Sequence, residues 1–121
     1  MGEELPPRVR QQLARVQQTR DSLQYVTALL VQVKQQFAET NNALEQVKGL
    51  TAKSVVYQAA GPLLFKTTKA SAKKALEEQN EALEVRVKSL EKQEAQLRKQ
   101  FETLQETLRG MLGQPGPAPA G

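Results

Sequence analysis

Apolar residues return every seven positions along two long stretches of this chain. In the first, Val9, Val16, Leu23, Leu30, Phe37 and Leu44 hold one heptad position, and Gln12, Thr19, Val26, Val33, Thr40 and Val47 follow three residues after each. Alternating steps of three and four keep one side of a helix against a partner helix, which is the seam of a coiled coil. Leu13 and Leu29 widen the stripe. Pro6 and Pro7 suit a first helical turn, where a missing N–H costs nothing, and Gly49 stands where a glycine stop belongs. The pattern predicts a helix over residues 7–48. In the second stretch Leu76, Leu83, Leu90, Leu97, Leu104 and Met111 keep one position, with Asn80, Val87, Glu94, Phe101 and Leu108 at the other. That predicts a second helix over 69–112. Asn80 and Glu94 are polar seam residues of the kind that fix register at some cost in stability. Off the seam, Glu84 with Lys88 and Glu94 with Arg98 have the favourable i,i+4 order.

Between the helices the period changes. Val55, Val56 and Tyr57 form one β-favouring run and Leu63 to Thr67 another, with Ala59 to Pro62 reading as the turn and Thr68 as the cap of the second helix. Residues 49–68 are therefore expected to form one β-hairpin, which lets the helices fold back antiparallel. The competing picture, one continuous rod, is broken at Gly49 and again at Gly61-Pro62. A lone hairpin is marginal in water, and both its edges present unpaired N–H and C=O groups. The chain has no third strand to offer, so the hairpin calls for strands from other chains, closing a sheet or barrel between subunits. The fold class expected is mainly α: a long antiparallel two-helix coiled coil joined by one β-hairpin that assembles into an inter-subunit β-barrel. Residues 1–6 are expected to be a flexible N-terminus and residues 113–121, rich in Pro and Gly, a disordered tail.

Composition removes most alternatives. The chain has neither cysteine nor histidine, so disulfides, thiol chemistry, Cys/His metal sites and imidazole catalysis fall together. No phosphate-cradling glycine loop or nucleophile turn is present; an enzyme is not expected, and neither cofactor nor metal. Glu77, Glu78, Glu81 and Glu84 lack the spacing of a cation loop and read as a solvated face. The opening MGEELPP lacks the basic-then-apolar order of a signal peptide, and no apolar run approaches the roughly 18 residues of a membrane span. A soluble cytoplasmic protein with no membrane partner is the expectation. Net charge is +4, but no aromatic residues interleave with the arginines, and nine basic residues in the second helix are offset by eight acidic ones, which argues against nucleic acid.

The stretch VVYQAAGPLLFKTTKASAKKALEEQNEALEVRVKSLEKQEAQLRKQFETLQ, Val55 to Gln105, resembles the β-type subunits of archaeal prefoldin. Tyr57, Gly61, Leu63-Leu64 and Lys66 are similar to that family's hairpin, and Leu83 to Leu97 to its second-helix signature. ELPPRVRQQLARVQQ and ALEQVKGL extend the resemblance over nearly the whole chain. Pro62, Ser71 and the stretch Thr51–Ser54 depart from the family's pattern and leave the strand limits open. The resemblance implies an ATP-independent chaperone, or holdase, in which two α-type and four β-type subunits form a hexamer. Their hairpins make a central body, and unfolded client proteins are held at the coiled-coil tips and passed to a group II chaperonin.

On that basis Val55, Val56, Tyr57, Leu63, Leu64 and Phe65 are the candidate oligomerisation hairpin, against an alternative in which they pack only on the chain's own helices. Leu5, Val9 and Leu13, with Leu108, Met111 and Leu112, are the candidate client-binding residues at the free helix ends. Val9, Leu108 and Met111 also suit a purely structural role in closing the seam. Arg8, Arg10 and Arg15 are candidates for docking an acidic chaperonin surface, against a plain solvated helix face. A structural coiled-coil scaffold or tether that binds one defined partner is the alternative function.

Overall fold

The computed structural model describes residues 5–113 of the chain. Apart from Leu5, Pro6 and Gly113, the expected flexible N-terminus and disordered tail lie outside the described residues. The elements run α1 (Pro7–Lys48), β1 (Val56–Ala60), β2 (Leu63–Thr67) and α2 (Lys69–Met111). The fold is mainly α, two long antiparallel helices joined by a hairpin, as the heptads and the interruption between them predict. The sheet holds two strands, so a barrel would need strands from further chains.

Seam periodicity is what makes these helices. Every seam position named above is buried or half-buried, while the charged residues between them stay mostly exposed. Val33 is the most enclosed, at 2% exposure; full burial of a valine or leucine contributes roughly 1.5–3 kcal/mol. The two intrahelical pairs expected from i,i+4 spacing form, Glu84 with Lys88 at 3.7 Å and Glu94 with Arg98 at 3.6 Å.

The chain divides into two compact units. One joins α1 up to Leu29 with α2 from Leu90 onward. Here polar seam residues bond across the helices: Gln12 Nε2 donates to the Leu104 carbonyl at 3.0 Å, and Thr27 Oγ1 donates to Glu94 Oε2 at 2.8 Å. At the start of α1 the Pro6 carbonyl accepts from Arg10 N at 3.0 Å, so the two prolines sit where no N–H is needed. Gly113, at φ 72°, closes α2 in the left-handed conformation of a C-terminal stop.

The other unit runs from Leu30 to Ser89 and carries the hairpin. Thr68 caps α2, its Oγ1 accepting from Ser71 N at 3.1 Å. α1 ends at Lys48, next to Gly49 as expected, but Gly49 does not take the left-handed conformation, since among the described glycines positive φ occurs at Gly61 and Gly113. The last carbonyls of α1 are satisfied otherwise. Gly49 N donates to Glu45 O and Gln46 O, Leu50 N to Val47 O, and Lys69 Nζ to Lys48 O at 3.1 Å. All four orphan carbonyls of the helix end thereby have partners.

Candidate functional site

The hairpin pairs Val56 with Thr67, Tyr57 with Lys66, Gln58 with Phe65, Ala59 with Leu64 and Ala60 with Leu63. This moves the expected turn. Ala59 and Ala60 belong to β1, and the loop is Gly61-Pro62 alone. The reason is backbone chemistry: a two-residue hairpin loop needs positive φ at its first residue, and Gly61 supplies φ 57° while the Pro62 ring holds a negative φ. Loop position also costs Pro62 no ladder bond. Val55 precedes the strand and is exposed.

Opposed residues share a face, so Val56, Gln58 and Ala60 lie with Leu63, Phe65 and Thr67, and Tyr57 and Ala59 lie with Leu64 and Lys66. The chain's own helices cover the first face only in part. Val56, Gln58 and Thr67 are half-buried, and a cavity of about 330 Å³ remains among Ala43, Val47, Val56, Ala72, Ala75 and Leu76. The second face is mostly open: Tyr57 is 60% exposed and Leu64 68%. Leu63 and Phe65 are exposed as well. The sheet thus presents clustered exposed apolar residues and two open edges.

The helix ends place the remaining candidates. Val9 is buried, Leu13, Leu108 and Met111 are half-buried, and Leu5 and Leu112 are exposed at 41% and 44%. Arg8, Arg10 and Arg15 are all exposed. Two features escaped the sequence reading. Lys69 reaches back to the end of α1, which no local motif announces, and Tyr25 stands 69% exposed beside an open groove with Val26, Leu29, Leu90 and Leu97.

Among the described residues no group of three His, Cys, Asp or Glu side chains could hold a metal ion, and no helix is long and apolar enough to cross a membrane. What the geometry offers is an exposed apolar hairpin surface carried between two coiled helices. That is the class: a mainly α coiled-coil protein with an exposed apolar hairpin. The chain belongs to the prefoldin subunit family, whose model matches residues 10–115. A prefoldin subunit beta of Saccharolobus islandicus is 39% identical over 112 residues, covering 93% of this chain and 89% of that protein. The one from Archaeoglobus fulgidus is 38% identical over 93% of this chain and 96% of its own length. The crystal structure of the prefoldin beta subunit from Thermococcus strain KS-1 superposes with a TM-score of 0.81 at 32% identity, covering 94% of this chain and all of that one. The family is one of non-enzymatic chaperones.

Proposed function

We propose that this chain is the β-type subunit of an ATP-independent holdase, working in the cytoplasm. The observation that carries the reading is the hairpin: two strands with both edges open, and Tyr57, Leu63, Leu64 and Phe65 exposed although apolar. Pairing those edges with hairpins of an α-type partner, two α with four β, would satisfy the ladder and cover the apolar faces together. The helix ends supply the second function. Leu5 and Leu112 offer exposed apolar contact that can hold an unfolded segment without demanding a sequence, and half-buried Leu13 and Met111 add to it where they are open. Val9 and Leu108 complete the seam beneath them. Delivery goes to a group II chaperonin, with exposed Arg8, Arg10 and Arg15 steering an acidic docking surface.

The test is a holdase assay on the complex formed with an α-type subunit, comparing the parent with a variant carrying Leu5→Ala, Leu13→Ala and Leu112→Ala. Each truncation removes up to about 2 kcal/mol of apolar burial against a client. The complex should form with unchanged mass, and suppression of client aggregation should weaken roughly tenfold or more. Undiminished protection would remove these residues from client binding. A chain that binds one defined partner and protects no client would be a scaffold instead.

A further inference from the structure

Lys69 is the first residue of α2, and its ammonium donates to two backbone carbonyls where the chain leaves α1, Lys48 O at 3.1 Å and Leu50 O at 2.6 Å. Charge makes this placement informative. A cation at a helix N-terminus meets the positive end of that helix's dipole, and α2 has no acidic residue in its first turn to offset it. The same cation at a helix C-terminus is favourable, and that is where Lys69 Nζ lies with respect to α1. Lys69 therefore stands at the unfavourable end of its own helix and serves the favourable end of the other. It also continues the seam, seven residues before Leu76, so an ion–carbonyl contact replaces an apolar one where the coil meets the hairpin.

The hairpin leaves α1 at Lys48 and returns through Thr67 and Thr68 to Lys69. One ammonium group thus joins the entry and the exit of the whole hairpin segment. Beyond Leu50 the connection bonds to itself: Ser54 N donates to Thr51 O at 3.1 Å, and Thr51 N to Ser54 Oγ at 3.2 Å, while Ala52 adjoins the start of α2 with no hydrogen bond between them among the described residues. Between α1 and β1, the bond from Lys69 Nζ to Leu50 O ties this connection to the start of α2. We infer that Lys69 is a positioning residue for assembly, a clamp that fixes where the hairpin emerges from the helices and so presents its edges in one orientation. The inference rests on the assembly role proposed above. It goes further by assigning the orientation of the hairpin to one side chain outside it.

Backbone amide exchange on the full chain tests the clamp without needing a partner, and assembly with an α-type subunit tests its consequence. Lys69→Met keeps the apolar stem and removes the charge, Lys69→Arg keeps the charge, and Lys74→Met removes a neighbouring exposed lysine as a control. In Lys69→Met, amides of residues 49–55 should exchange about tenfold faster, the loss expected when charge-assisted bonds are removed from a locally opening segment. Amides of the first turn of α2 should not quicken, because removing the charge relieves the dipole there. The affinity for the α-type subunit should fall by about the same factor. Lys69→Arg should recover much of both effects, and Lys74→Met should match the parent. Parental exchange in Lys69→Met, equal loss in Lys69→Arg, fraying of α2 along with the connection, or faster exchange with unaltered assembly would each overturn the proposal. Failure of the parent chain to assemble would instead defeat the assembly role, and exchange in the free chain would still decide whether the clamp exists.

Discussion

Polar residues in the apolar seam of this chain meet different fates, Thr40 bonding back to the Gln36 carbonyl of its own helix. Gln12 gives its amide to the Leu104 carbonyl, Glu94 accepts from Thr27, and Asn80 Oδ1 is buried with no hydrogen-bond partner. Gln12 and Glu94 trade desolvation for a cross-helix bond of fixed register; Asn80 bears its cost unrelieved. Asn80→Leu should therefore stabilise the chain by about 1–3 kcal/mol in thermal or urea unfolding. Thr27→Val should destabilise it by about 1 kcal/mol, because it leaves the Glu94 carboxylate without that donor. A destabilised Asn80→Leu variant would mean that its amide makes an unrecognised bond. The heptads made these polar positions legible as seam residues. Their partners were not legible, since Thr27 lies off the strict seam and 67 residues from Glu94.

At the scale of elements, both helices and the existence of one hairpin could be read from the sequence, because a 3-4 period and a β-branched run answer to different geometries. The strand limits could not. Ala59 and Ala60 have weak β propensity, and only the demand of a two-residue loop for positive φ at Gly61 draws them into β1. Gly61→Ala has open space around its new Cβ, so its whole penalty is conformational, about 1 kcal/mol. Far-UV circular dichroism should show helix content unchanged while the hairpin amides lose exchange protection. Loss of helix would show that the hairpin supports the coil rather than projecting from it. Gly49 is the opposite case: the helix stops where the sequence suggests, but its end is closed by backbone amides, Gly49 N among them, and by Lys69, which lies 21 residues beyond Lys48.

For the whole molecule, the largest cluster of exposed apolar side chains coincides with the surface proposed for assembly. The seam is consumed in packing the helices. Of the exposed large apolar side chains, Val55, Tyr57, Leu63, Leu64 and Phe65 cluster on or beside the hairpin and Leu5 and Leu112 stand at the helix ends, while Tyr25, Val31, Leu50 and Val85 are exposed singly elsewhere. The hairpin's open edges were legible because they follow from strand count alone. The helix ends were less so, because exposure there depends on how far the seam continues, and Leu13 turns out half-buried.

Leu64 gives the cleanest access to the central claim. It is 68% exposed on the face that the chain's own helices leave mostly open, so a charge there costs the isolated subunit little. The decisive measurement is the mass, by light scattering, of the parent chain and of Leu64→Asp, each mixed with an α-type subunit. The account predicts a hexamer-sized complex for the parent and unassembled chains for Leu64→Asp, with equal helix content in both. A complex of undiminished size from Leu64→Asp, and likewise from Phe65→Asp, would contradict assembly through the hairpin.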